Sequence, residues 1–153
     1  MSAQLDSLPK LRPMRTTDLD RIMEVEPAIY THPWTRGNFD DSMRVGYSCW
    51  VIDCGGVVTG YGVLMTGVRE AHLLNLSVAP EWQRRGLGRS LLEHFVRIGR
   101  DSDAQQMFLE VRPSNTSARR LYADYGFRDI SVRRGYYPAA GGREDAILMG
   151  LML

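Results

Sequence analysis

One stretch constrains this chain more than any other: Val78-Ala79-Pro80-Glu81-Trp82-Gln83-Arg84-Arg85-Gly86-Leu87-Gly88-Arg89-Ser90-Leu91-Leu92. An alternating apolar run ends at Val78, and a short loop follows. Leu87, Leu91, Leu92, Phe95 and Val96 then recur at helical spacing, so Gly86 and Gly88 fall where a helix begins. The first amides of a helix have no partner within it, and the helix dipole is positive there. Glycines let a ligand approach those amides closely. The turn therefore suits a diphosphate, with Arg84, Arg85 and Arg89 adding charge. It is not a Walker loop, which needs a Lys, nor a dinucleotide fingerprint, which needs a third Gly. Gly-x-Gly alone also serves as plain punctuation at a helix start.

The surrounding sequence predicts an α/β fold, a mixed sheet with helices on its faces, in one domain over residues 1–153. A short strand at Leu11 to Met14 precedes a helix that Thr17 can cap. That helix carries Leu19, Ile22, Met23 and Glu26, and Pro27 is expected to end it. Tyr30-Thr31-His32-Pro33-Trp34-Thr35 reads as a loop, and Thr35 can cap a short helix through Phe39 and Met43. Strands from Tyr47 to Asp53 and from Val57 to Met65 flank Gly55-Gly56, a dipeptide suited to a tight hairpin. A third strand, Ala71 to Val78, alternates Leu74, Leu76 and Val78 with Asn75 and Ser77, a pattern that suits an ordinary core strand.

Beyond the glycine-started helix, Gln106 to Val111 reads as a buried strand. Strand, helix and strand thus come in the order of a parallel crossover. A helix from Asn115 to Tyr125, closed by Gly126, and strands from Phe127 to Tyr136 and from Asp145 to Met152 complete the chain.

Composition narrows the function classes. With 153 residues, 44% of them hydrophobic, the chain can bury one sizeable core. A formal charge of +1 supplies no net field toward nucleic acid or an anionic membrane, so neither partner is expected. Met1 to Asp6 shows no basic region followed by an apolar run, and no apolar stretch approaches membrane-spanning length. A soluble, cytoplasmic protein is the expectation. Cys49 and Cys54 stand at an odd offset in one strand, on opposite faces and about 17 Å apart, and cannot pair. His32, His72 and His94 are scattered and neither cysteine has a partner at ligand spacing, so no metal site is expected.

The loop with Gln83 three residues before Gly86 resembles the acyl-CoA pyrophosphate loop of the GCN5-related N-acetyltransferases (GNAT superfamily): Gln or Arg, two residues, Gly, one residue, then Gly or Ala. Further segments are similar to one branch, the ribosomal-protein-alanine N-acetyltransferases (RimI-type). They are Leu109-Glu110-Val111-Arg112-Pro113-Ser114-Asn115, Leu121-Tyr122 with Gly126-Phe127, Arg133-Arg134-Gly135-Tyr136-Tyr137-Pro138, Arg143-Glu144-Asp145-Ala146, and Pro33-Trp34. The similarity runs from about Met14 to the end. It implies the GNAT fold, a central mixed sheet of six to seven strands flanked by about four helices. It also implies acetyl-CoA as cosubstrate and an N-terminal alanine of the eighteenth small-subunit ribosomal protein as acceptor. Gly135 departs from a polar residue often seen there.

The chemistry asks for a base, an acid and an oxyanion donor. A neutral amine must attack the thioester, and an α-amino group with a pKa of about 8 reaches that state more readily than a lysine at about 10.4. Glu110, at the end of a buried strand, suits either an ion-paired carboxylate or a base whose proton affinity burial raises; the resemblance implies the base. The same resemblance implies Tyr122 as the acid that protonates the departing thiolate. Asn115 and Tyr122 stand about 700° apart around a helix and share a face, where both can meet the cofactor; Asn115 can also cap that helix.

Backbone at Leu76, Ser77 and Val78 is implied to bind the pantetheine arm and oxyanion, and Arg84, Arg85, Gly86, Leu87, Gly88, Arg89 and Ser90 the diphosphate. Trp34, Tyr136 and Tyr137 are implied to line the acceptor groove, although such aromatics also serve as packing. Arg143, Glu144 and Asp145 form either a charged turn or a hold for a protonated amine. No motif places a serine or cysteine nucleophile, so direct transfer in a ternary complex is expected. Other readings keep the class but change the acceptor to another protein terminus, a lysine or a small amine, or make the chain a non-catalytic CoA-binding module. The joint presence of Glu110 and Tyr122 speaks against the last.

Overall fold

The computed structural model describes residues 8–153; the Met1 to Asp6 start, read above as lacking a leader, lies outside them. Among the described residues, seven strands and four α-helices follow one another. The strands are β1 (Pro9–Pro13), β2 (Ser48–Cys54), β3 (Val57–Thr66), β4 (Glu70–Val78), β5 (Gln106–Val111), β6 (Arg128–Ala139) and β7 (Gly142–Met152). The helices are α1 (Leu19–Ile29), α2 (Arg36–Arg44), α3 (Leu87–Asp101) and α4 (Thr116–Tyr125). The sheet runs β1-β2-β3-β4-β5-β7-β6. β4 and β5 pair parallel, as the strand-helix-strand order requires, while β1–β2, β2–β3, β5–β7 and β6–β7 pair antiparallel. This is the mixed sheet that the sequence pattern implies.

Contacts divide the chain into two compact units, residues up to Met65 with Asn75–His94, and Thr66–Leu74 with Phe95–Leu153. In the first, Leu19, Ile22 and Val25 of α1 and Phe39 of α2 bury their apolar stripe against Val51, Tyr61 and Val63 of the sheet. Cys49 lies in that cluster, whereas Cys54 sits against the Thr59 hydroxyl, and both thiols are free. In the second unit, Gly99 of α3 approaches so closely that a Cβ there would stand 3.2 Å from Met107 and 3.1 Å from Leu153. A glycine inside that helix is explained by this packing rather than by a bend.

Four boundaries depart from the sequence expectation. Thr17 does not cap α1; a 3-10 turn, Thr16–Asp18, leads into it, and the Asp18 carboxylate accepts the Arg15 N–H at 2.8 Å. Pro27 does not end α1, which runs on to Ile29, because a proline in the last turn forfeits a single helical bond. The late hairpin is longer than expected, with β6 reaching Ala139 and β7 starting at Gly142. Pro138 is tolerated because β6 is an edge strand. Finally, β4 turns the opposite face inward: Ala71, Leu73, Asn75 and Ser77 are buried, Leu74 is exposed, and Leu76 and Val78 are half-buried. The apolar residues of that stretch therefore lie on the accessible face, and the polar pair lies in the core.

Candidate active site

The glycine turn has the local geometry that anion binding needs. After β4 the chain makes a 3-10 turn, Pro80–Trp82, and the Gln83 amide group ties the loop back by donating to the Val78 carbonyl at 3.0 Å. Arg84 and Gly86 both take left-handed backbone angles, with φ of 63° and 80°. At Gly86 a side chain would be strained, and nothing stands within 4 Å of where its Cβ would be. The Ser90 N–H donates to the Gly86 carbonyl at 3.1 Å, so Gly86 is where α3 starts and the intervening amides point out of the helix end. Arg85 lies over the Trp82 ring at 4.7 Å, and Arg89 pairs with Glu93 at 3.2 Å. Leu87 is buried, so its side chain anchors the helix and only its backbone is available to a ligand. An open cradle with outward amides and arginines fits a diphosphate.

The strand leading into the turn carries the second element. The β4–β5 ladder comprises Glu70↔Gln106 through Leu73↔Leu109, yet β4 continues to Val78. The last residues of β4 thus offer a strand edge that an extended ligand can join. The Val78 carbonyl already accepts from Gln83, and the Tyr30 hydroxyl stands 3.2 Å from the Leu76 carbonyl and 2.8 Å from the Ser77 Oγ, with one proton to share between them. A second lone pair on each carbonyl remains for a ligand amide. Gly60 on β3 permits the close approach behind, since a Cβ there would stand 3.2 Å from the Ser77 carbonyl.

In the second unit, β5 alternates buried Met107, Leu109 and Val111 with Gln106, Phe108 and Glu110 on the other face. Glu110 is half-buried, and its two oxygens differ. Oε1 lies 3.5 Å from an Arg133 guanidinium nitrogen, whereas Oε2 is buried and accepts no hydrogen bond among the described residues. Burial, with the Glu110 charge next, pushes the Tyr137 phenol up to about 12, so it remains a neutral donor at physiological pH. Tyr136 and Tyr137 meet edge to face at 5.0 Å, with Arg133 over the first ring at 5.0 Å and Arg112 over the second at 4.4 Å. Gly135, at a φ of 60°, occupies the irregular stretch of β6 between Arg133 and Tyr137, a left-handed conformation that glycine takes without strain.

On α4, the Asn115 side chain caps the helix by accepting the Ala118 N–H at 3.3 Å, one of its two expected roles. Tyr122 is buried beside Phe127, with ring centroids 5.7 Å apart. Glu144 is no open contact for an amine. Its carboxylate takes the Ser114 hydroxyl at 3.0 Å and the Ser114 N–H at 2.9 Å, and pairs with Arg112 at 3.3 Å. The Ser114 bonds, with Arg112 behind them, hold that carboxyl below its usual range against a partial burial cost. Asp145 accepts the Gly135 N–H, and Arg143 donates to the Gly135 and Tyr136 carbonyls. Arg143, Glu144 and Asp145 thus brace the hairpin that carries the two tyrosines.

The turn, Glu110, Asn115, Tyr122 and the tyrosine pair are the residues the sequence nominates, and the structure adds three further side chains that the sequence did not nominate. Arg133 and Arg112 pack against Glu110 and the tyrosines; both lie in segments that carry the family resemblance, but nothing in the sequence assigns them those contacts. Glu26 was read only as a position along a helix. It is fully buried, accepts the Trp34 N–H at 2.9 Å, and thereby fixes the loop that the Trp34 ring shares with Phe39, 5.1 Å away.

The comparisons with known proteins agree with this geometry. The profile of the acetyltransferase (GNAT) family matches residues 19–127. The ribosomal protein bS18-alanine N-acetyltransferase of Escherichia coli strain K12 is 36% identical over 138 residues, which cover 90% of this chain and 93% of that protein. Its counterpart from Haemophilus influenzae is 33% identical over 137 residues, covering 89% and 93%. The crystal structure of the ribosomal-protein-S18-alanine N-acetyltransferase from Escherichia coli superposes with a TM-score of 0.87 at 34% identity, over 95% of this chain and 94% of that one. The chain belongs to the acetyltransferase (GNAT) family, and its relatives tie it to the ribosomal-protein-alanine branch.

Proposed function

We propose that the chain transfers an acetyl group from acetyl-CoA to the α-amino group of an N-terminal alanine, with ribosomal protein bS18 as its acceptor. The family makes it an acetyl-CoA-dependent acyltransferase, and the acceptor follows from what the relatives in Escherichia coli and Haemophilus influenzae are named for. The observation that carries the reading is the turn at Gly86, a left-handed glycine at a helix start with open space where a side chain would stand. In this reading residues 1–153 work as one cytoplasmic catalytic domain.

Each residue then has one task. The amides from Gly86 to Ser90 with Arg84, Arg85 and Arg89 hold the diphosphate, and the β4 edge at Leu76, Ser77 and Val78 takes the pantetheine arm. Asn115 and Tyr122 contact the cofactor from α4. Acetyl-CoA supplies the activated acyl group. Glu110 takes the amine's proton on Oε2, the oxygen without a hydrogen bond, and Tyr122 gives a proton to the departing thiolate. Trp34, Tyr136 and Tyr137 receive the first residues of the peptide.

A peptide panel tests this. Acetyl-CoA and the purified chain are expected to acetylate peptides that begin with alanine, read by mass spectrometry, and to leave internal lysines unmodified at neutral pH, where they are protonated. Equal labelling of internal lysines, or none on alanine-starting peptides, would overturn the acceptor assignment.

A further inference from the structure

Glu26 is a fully buried carboxylate, and none of the partners it shows is a cation. It accepts the Trp34 N–H on Oε2 at 2.9 Å, and on Oε1 the Tyr61 hydroxyl at 2.8 Å and the Asn75 amide at 3.1 Å. The Ser77 hydroxyl lies 3.5 Å from Oε1 and 2.8 Å from the Asn75 Oδ1. The Tyr30 hydroxyl, in turn, is 2.8 Å from the Ser77 Oγ and 3.2 Å from the Leu76 carbonyl. A buried polar group left without its partners is costly, so Glu26 here demands every one of them.

Counting protons gives the chain a direction. Asn75 turns its NH2 toward Glu26 and its Oδ1 toward Ser77. The single Ser77 proton then goes to that oxygen, and its lone pairs are left to take the Tyr30 proton. The Leu76 carbonyl, on the open edge of β4, is thereby relieved of competition for its lone pairs. The same carboxylate anchors the Trp34 loop through a backbone amide.

We infer that Glu26 is a positioning residue that serves both halves of the reaction from one buried point: one oxygen fixes the acceptor loop at Trp34, and the other keeps the β4 edge open for acyl-CoA. The inference rests on the acetyl-transfer reading, which assigns the two ends their ligands. A glutamine in its place keeps the size but brings its own NH2. Asn75 must then flip, Ser77 must turn its proton toward Tyr30, and the Tyr30 proton is driven onto the Leu76 carbonyl.

The test compares wild type with Glu26→Gln and with Asn75→Leu, which cuts only the β4 arm. Acetyl-CoA affinity is read by calorimetry and the alanine-peptide KM by steady-state kinetics, with melting temperature alongside. Glu26→Gln is expected to weaken both about tenfold, the worth of one redirected hydrogen bond. Asn75→Leu is expected to weaken acetyl-CoA about tenfold and to leave the peptide KM within about twofold. A merely structural network would lower the melting temperature and shift both ligands together in Asn75→Leu, and that outcome overturns the inference, as do unchanged affinities in Glu26→Gln. Should Glu26→Gln not fold, the split in Asn75→Leu decides alone. Calorimetry with acetyl-CoA needs no acceptor, so a wild type that ignores alanine peptides sinks the functional reading while the β4 arm is still judged.

Discussion

Glu110 holds its two oxygens in different surroundings, an asymmetry compatible with the general-base role proposed for it. Arg133 engages Oε1 from an exposed position, where an ion pair contributes little to stability. Oε2 is shielded from water and keeps its lone pairs unspent. Replacing Glu110 with Gln preserves the shape and removes the proton acceptor, so kcat is expected to fall about 100-fold or more while acetyl-CoA affinity changes less than about twofold. Tyr122→Phe is expected to lower kcat with a similarly small effect on that affinity. Single-turnover rates and calorimetry check both, and an unaltered kcat in either variant would remove that residue from the chemistry. Glu110 was nominated from the sequence through the motif around it. Its partner Arg133 was not, because the pairing depends on the register of β6, which the irregular backbone at Gly135 sets.

At the scale of elements, the sequence pattern located each strand and α-helix of the described residues and missed most where polarity and burial disagree. Asn75 and Ser77 read as the solvent side of β4, yet they are buried because Glu26 and Tyr30, far away in sequence, supply their hydrogen bonds. Periodicity alone cannot anticipate a polar cluster whose partners lie on another element. A second polar junction was equally hidden, that between β1 and the start of α1. Arg12 clamps the Asp18 carboxylate at 2.8 and 2.9 Å and reaches Asp53 of β2 at 3.1 Å. Burial pushes the Asp18 carboxyl up, but Arg12 and the Arg15 amide outweigh it and leave it below its ordinary value. A carboxyl whose folded pKa is lowered stabilises the fold above its unfolded pKa of about 4, and that stability is lost as pH falls through the folded value. Asp18→Asn is accordingly expected to cost about 1–3 kcal/mol at pH 7, with the gap from wild type closing steadily below about pH 4. Urea titrations across that range check it, and a gap independent of pH would show that the charge is not what matters.

For the molecule as a whole, the question is whether two compact units amount to one folding domain. β4 gives Glu70–Leu74 to one unit and Asn75–Val78 to the other, and α3 is divided between His94 and Phe95. Neither unit can melt without taking part of a continuous strand and a continuous helix from its neighbour in the chain, and that loss makes independent unfolding costly. One cooperative transition is therefore expected, with an unfolding enthalpy of about 100 kcal/mol for a chain of this size. The three tryptophans make the expectation decidable, because Trp34, Trp50 and Trp82 all belong to the first unit. Their fluorescence reports that unit alone, whereas far-ultraviolet circular dichroism reports the entire chain. The two melting curves should coincide, and acetyl-CoA at about 100 times its Kd should move both by the same amount, about 5–10 °C. Curves that separate, or a ligand shift confined to the fluorescence, would mean that the glycine turn binds acetyl-CoA on a unit that folds by itself, and the chain would then be two domains.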